Sequence, residues 1–119
     1  MHGDPIADPE TGELLGAKPW HAASGIRDAD LPWYAKLVAF VLLSRAGVDV
    51  DVGAWACFPS LPTIARDAGI SVASVQRGLR VLGAAGLVTW HQDREGGVNH
   101  YAIDCDAMAA LRRKAQPRR

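Results

Sequence analysis

Apolar residues recur at helical spacing through residues 60–87, SLPTIARDAGISVASVQRGLRVLGAAGL. Ile64, Ala65 and Ala68 fall on one face, and Val75, Leu79 and Leu82 resume the pattern after a break. Gly69 stands at the break, where glycine accepts the left-handed backbone that a helix C′ position needs. Ser71 follows as an N-cap, its hydroxyl placed to accept from the free amides of the next helix. Ile70 lies between them and fills the angle. The spacing predicts two short helices across a tight turn, with the polar side of the second left facing outward.

Upstream, residues 33–46 are apolar round most of a helical circumference, so a helix there must be covered on more than one side. Asp30 is its expected N-cap, Pro32 falls in its first turn and Gly47 stops it. Residues 48–57 read as an acidic loop leading into a short strand. Ser60 as N-cap and Pro62 in the first turn then open the next helix.

The second helix of the pair closes at Gly83-Ala84-Ala85-Gly86, and residues 87–92 and 99–103 follow as strands around a Gly96-Gly97 turn. A two-residue loop sets Glu95 opposite Val98, Asp93 opposite His100, Gln92 opposite Tyr101 and Trp90 opposite Ile103. Trp90, Tyr101 and Ile103 then share one face, and His91, Asp93 and His100 the other. A hairpin directly after a helix-turn-helix is the wing of a winged helix.

Residues 104–115 form a last helix with Asp104 and Asp106 first and Arg112, Arg113 and Lys114 last, an order that suits the helix dipole. Its apolar stripe, Met108, Leu111 and Ala115, is thin. Residues 1–28 show no sustained periodicity and are rich in Gly, Pro, Asp and Ala. They are expected to form a flexible acidic arm, with a turn at Asp8-Pro9-Glu10-Thr11-Gly12 between Ile6 and Leu14. Trp20 is placed to pin that arm to the domain or to a second chain. The expected fold is mainly α with a small β-hairpin. Its divisions are an arm at 1–28, a winged helix-turn-helix domain at 29–103, and a C-terminal helix and basic tail at 104–119.

Composition narrows the function. The net charge of the 119 residues is zero, but its distribution is uneven. Residues 1–30 carry two cations against six carboxylates, whereas residues 60–119 carry nine against five. The basic half is the half that holds the two-helix pattern. Cys57 and Cys105 are far apart with no Cys-x-x-Cys spacing, which speaks for reduced thiols rather than a disulfide framework. No apolar run approaches the roughly 20 residues of a membrane span, and the first residues lack the apolar core of a signal peptide. A cytoplasmic protein is expected. A nucleophile elbow, a phosphate-binding glycine loop and an HExxH motif are all missing, so no catalytic residue and no cofactor is nominated. His91 and His100 are not opposed in the expected register and have no third partner, so no metal site is expected. Nor does the sequence suggest a small-molecule effector pocket.

With these parts in place the sequence resembles the winged helix-turn-helix domains of actinobacterial and phage transcription factors and replication-associated proteins. The resemblance covers about residues 32–103. It is carried by Lys36-Leu37-Val38, by Cys57-Phe58-Pro59-Ser60 and by Ile64-Ala65-Arg66-Asp67-Ala68-Gly69-Ile70-Ser71. It continues through Ser74-Val75-Gln76-Arg77-Gly78-Leu79, Leu82-Gly83-Ala84-Ala85-Gly86-Leu87-Val88 and Gly97-Val98-Asn99-His100-Tyr101. Two features depart from it: Val72 and Ala73 stand where the family often has Arg or Lys, and the hairpin segment DREGGVNH holds one Arg against two acids.

Placed in a major groove, the second helix would present Val72, Ala73, Ser74, Gln76, Arg77 and Arg80. Gln76 suits an adenine edge, Arg77 or Arg80 a guanine, and Val72 and Ala73 thymine methyl groups. Ser71, Ser74 and Thr63 at helix N-termini suit phosphate. Arg94 at the wing tip is placed for a minor groove or backbone, and the resemblance adds Asn99. The expected function is sequence-specific binding of double-stranded DNA by a small transcriptional regulator of repressor type, of phage or plasmid origin. A homodimer is expected, formed through the apolar first helix, the C-terminal stripe and the arm. The alternative is a replication-accessory or protein-interaction module that docks another protein.

Overall fold

The computed structural model describes residues 8, 10–11, 15–49, 53–92 and 98–114, the last two by their backbone alone. Five helices and four strands run in the order α1 (Pro19–Asp28), α2 (Trp33–Ser44), β1 (Gly47–Asp49), β2 (Ala54–Cys57), α3 (Leu61–Ala68), α4 (Val72–Ala84), β3 (Val88–Gln92), β4 (Asn99–Ile103) and α5 (Cys105–Lys114). This is a mainly α, winged-helix-like fold.

The central rod is α2. Ala35, Val38, Ala39, Val41, Leu42 and Leu43 are all buried, and α1, α3, α4 and β4 pack around it. The covering on several sides expected of so apolar a helix is present. Its N-terminus differs from expectation: Pro32 occupies the cap position without a side-chain bond, and Asp30 stands two residues upstream. The helix's hydrogen bonding begins at the Pro32 carbonyl, which accepts from the Ala35 and Lys36 amides. At the other end α2 stops at Ser44, whose hydroxyl donates to the Val41 carbonyl (2.7 Å), and Gly47 opens a strand rather than closing the helix.

The largest correction concerns residues 19–28, expected within a flexible arm. They form α1, with Ala22, Gly25 and Ile26 buried. Ala22, Ile26 and Ala29 lie at i, i+4 and i+7, one stripe of a helix, but the residues are too small to stand out as amphipathic. What they bury against is α5. A Cβ added at Gly25 would lie 1.9 Å from the Met108 carbonyl oxygen, so only glycine permits this crossing. The Asp106 carboxylate accepts from the Ala17 amide (2.7 Å), and Arg112 reaches Asp28 (3.3 Å). The thin stripe on α5 is therefore core: Met108 is fully buried. Trp20, in contrast, is 64% exposed, and its ring lies 5.5 Å from that of His21 on the same helix. The Asp8 carboxylate accepts from the Glu10 amide (2.8 Å), while Pro9 and Gly12 of the expected turn lie outside the described residues. Ile6, Leu14 and Ala115 lie outside the described residues.

The sheet is larger than one hairpin, with all-antiparallel order β1-β2-β4-β3. The acidic segment expected as a loop leading into a strand instead supplies β1, paired with β2. In the β3–β4 hairpin Trp90 pairs with Tyr101, His91 with His100 and Gln92 with Asn99, two residues off the expected register. The pairing is therefore not centred on Gly96-Gly97, and those glycines lie outside the described residues. A shift of two preserves the side to which each residue points. Tyr101, Ile103 and Val88 face the core with Cys57, and the histidines face away, as expected.

Two predictions follow from this packing. Gly25→Ala should destabilise the fold by about 1–3 kcal/mol through overpacking against α5. Gly47→Ala, where an added Cβ meets nothing within 4 Å, serves as the control. Urea unfolding of both variants measures the difference, and equal midpoints would contradict the close α1–α5 crossing. Burial pushes the Cys57 thiol up to about 11, against a small opposing effect of Arg45. Burial, reinforced by Asp106 and Asp104, pushes Cys105 up to about 12. Both folded-state values lie above the ordinary 9.0, so the folded chain keeps protons that the unfolded chain releases. Their stabilisation is complete below about pH 9 and is lost as the pH rises through 11 and 12. Unfolding midpoints of the reduced protein measured across that range should fall, and a midpoint rising with pH would contradict the burial of both thiols.

Candidate nucleic-acid interface

The helix-turn-helix is built from two matched sets of end signals. Ser60 accepts from the Thr63 amide (3.2 Å) and Pro62 occupies the first turn, so α3 begins where expected. It ends at Gly69, with φ +72°. The Gly69 amide reaches the Arg66 carbonyl and the Ile70 amide reaches Ala65, the paired bonds of a Schellman motif. Ser71 then caps α4 by accepting from the Ser74 amide (3.1 Å). The far end of α4 repeats the motif: Gly86 has φ +75°, its amide bonds to Gly83, and the Leu87 amide bonds to Leu82. Three residues after the α3 helix the chain has therefore already turned and restarted.

These ends fix which side of α4 is free. Val75, Gly78, Leu79 and Leu82 are buried against the rest of the fold, with α2 and α3 as the helical neighbours. Val72, Ala73, Gln76, Arg77 and Arg80 are exposed, and no acidic residue occurs on the helix. Ser74 is half-buried, and its hydroxyl accepts from Ser71 (3.0 Å). Thr63 is likewise half-buried and shares a hydrogen bond with Ser60 (2.9 Å). The nominated hydroxyls thus hold the helix ends first.

Charge separates the arginines into two groups. Arg27 and Arg112 both meet Asp28, and Arg45 and Arg66 both meet Asp67. The Arg27 and Arg45 guanidiniums hold the Asp28 and Asp67 carboxyls, respectively, below the usual carboxylate range, chiefly by hydrogen bonding. Among the described residues, neither Arg77 nor Arg80 has a carboxylate partner. Their N–H groups remain available to an outside acceptor.

The sheet is joined to α4 by Trp90. A Cβ added at Gly83 would meet the Trp90 ring at 3.0 Å, so Gly83 provides the seat on which the β3–β4 hairpin rests. Trp90 in turn lies 6.4 Å from the Tyr101 ring. Asn99 is half-buried and donates to the Tyr101 hydroxyl (3.2 Å), which directs its amide inward along the sheet. Arg94 lies outside the described residues. On the opposite face, His91 and His100 are directly opposed and stacked at 4.7 Å, contrary to the expected register, with Phe58 edge-on to His100 at 4.9 Å. Among the described residues no group of three or more His, Cys, Asp or Glu is placed to hold a metal ion. No helix among them is long and apolar enough to cross a membrane.

Sequence reasoning found the exposed positions of α4 but missed Tyr34, on α2, whose ring lies 5.3 Å beneath the Arg77 guanidinium carbon. An aromatic residue at the start of an apolar helix reads as core, and only the crossing of α2 by α4 brings the two together. Ser71→Ala, which leaves the first amides of α4 without their acceptor, should cost about 1 kcal/mol in urea unfolding. An unchanged midpoint would mean that the hydroxyl contributes nothing as a cap.

A family model described as a helix-turn-helix domain matches residues 29–88, half of the chain. No curated protein matches it. The matched region runs from the residues before α2 through α3 and α4 to the first residue of β3, so both halves of the motif and the rod behind them lie inside it. The likeness to a DNA-binding motif that capping, turn geometry and exposure each support is thus borne out independently: the chain belongs to the helix-turn-helix domain family.

Proposed function

We propose that the protein binds double-stranded DNA sequence-specifically and acts as a small transcriptional regulator, with α4 in the major groove and the β3–β4 hairpin as the wing. The observation that carries this reading is the state of the α4 arginines. The other arginines whose side chains are described, Arg27, Arg45, Arg66 and Arg112, are engaged by Asp28 or Asp67, whereas Arg77 and Arg80 are exposed on a helix without acids, beside an exposed Gln76. A net charge of zero is compatible with binding when the cations that matter are not neutralised where they stand. Gln76 suits adenine and Arg80 guanine, each good bidentate pair discriminating by about 1–3 kcal/mol. Val72, 38% exposed at the first turn, suits contact with a thymine methyl.

A single module covers a small footprint, about 600–1,000 Å². Two copies on half-sites about one helical turn apart would extend it. The inner face of α2 and the stripe on α5, both expected to join copies, are occupied within the chain. In this proposal the second copy is therefore aligned chiefly by the DNA.

Selection of bound duplexes from a random pool at low salt tests the reading, followed by titration of the selected duplex. Affinity should fall by about 10³–10⁵ between about 50 and 200 mM salt for six to ten phosphate contacts. Gln76→Ala should relax preference at one base pair by about 1–3 kcal/mol, and Arg80→Ala at another. Failure to retain any duplex, or variants with wild-type preference at every position, would overturn direct readout by α4. Retention of a protein and of no duplex would favour the docking-module alternative.

A further inference from the structure

The crossing of α2 by α4 places an aromatic ring under Arg77, one of two arginines that lack a carboxylate partner among the described side chains. Gly78 is buried at the crossing. A Cβ there would meet the Tyr34 carbonyl oxygen and Val38 Cγ2 at 3.0 Å and Ala35 Cα at 3.3 Å. The missing side chain lets α4 settle onto the first turn of α2, and the adjacent residue, Arg77, is carried over the Tyr34 ring. Its guanidinium carbon lies 5.3 Å from the ring centroid. Trp33, itself exposed, meets Tyr34 edge-on, at 5.5 Å and 85°. Arg80, one turn further along α4, has no such ring among the described residues.

A carboxylate partner would occupy the N–H donors of an arginine. A ring attracts the cation through its π face and leaves the hydrogen-bonding edge of the guanidinium free. Restricting a side chain with four rotatable bonds before it binds also reduces what ordering it costs on binding. We propose that Tyr34 is a positioning residue for Arg77: it holds the guanidinium ready for a guanine edge, which makes the first turn of α2 a determinant of specificity. This inference rests on the DNA-binding reading above. Arg77 and Arg80 then differ in kind, one arriving at the groove already placed and the other placed by the groove.

The test is a double-mutant cycle on a duplex selected by the wild-type chain. Tyr34→Leu should weaken binding about two- to five-fold, the size of an exposed cation–π contact. It should add nothing in an Arg77→Ala background, and its effect should be undiminished in an Arg80→Ala background. Tyr34→Phe, which keeps the ring, should restore wild-type affinity. A Tyr34→Leu loss that is the same with and without Arg77, or no loss at all, overturns the positioning role while leaving DNA binding intact. A wild-type chain that binds no duplex overturns both. Should Tyr34→Leu not fold, NMR of the free wild-type protein decides. The Arg77 δ-methylene protons should be shifted upfield by the ring current, and unshifted protons overturn the proposal.

Discussion

The structure depends on one close approach, the seating of α4 on α2 at Gly78. A helix that is to read anything outside the chain must bury one side well enough to be rigid and leave the other bare. Val75, Leu79 and Leu82 supply the burial, but Gly78 sets the distance, because any larger residue would strike the Tyr34 backbone. Everything at the interface follows from that distance. Arg77 stands over the Tyr34 ring because its neighbour has no side chain. The wing takes its position from the other glycine of the helix, Gly83, on which Trp90 rests. Two glycines in a 13-residue helix cost helical propensity, roughly 1 kcal/mol each relative to alanine. Tertiary packing on both of them offsets that cost.

A second crossing closes the far side of the rod. α1 and α5 come from opposite ends of the described chain and meet through Gly25, with the Asp106–Ala17 and Arg112–Asp28 contacts on either side. This pair lies outside the matched 29–88 region; its α1 packs on α2 as well, adding cover to the rod, while α5 packs on α1. It also accounts for the charge pattern. Asp28 on α1, together with Asp67 on α3, draws arginines away from general use. The cations of α4 are spared, so a chain of zero net charge still presents a locally basic helix.

Much of this was legible in the sequence, and the parts that were not share a cause. Ser60, Gly69, Ser71 and Gly86 act within four or five residues of themselves and were read correctly. Asp30 and Gly47, end signals of the same local kind, instead stand one element boundary away from the roles expected of them. The sidedness of the wing was also readable, because alternation survives a register error of two. The register itself was not, since the pairing of the strands is not centred on the glycine pair from which it was counted. α1 escaped notice because its buried stripe is alanine and glycine, residues whose value lies in letting another helix come near, and that helix is 80 residues away. β1 was hidden in an acidic segment whose strand character comes from pairing with β2. At the interface, exposure along α4 followed from periodicity, while the Tyr34–Arg77 contact joins two elements and leaves no mark on either. The opposed histidines, excluded by the expected register, are a product of the same two-residue shift.

The central claim is that the outer side of α4 is the surface that meets DNA. Backbone amide shifts of the labelled full chain, followed as a selected duplex is added at low salt, test it most directly. The account predicts that the largest changes fall on residues 71–80 and the wing strands, with α1 and α5 nearly unmoved. Changes concentrated on α1 and α5, with α4 silent, would contradict it.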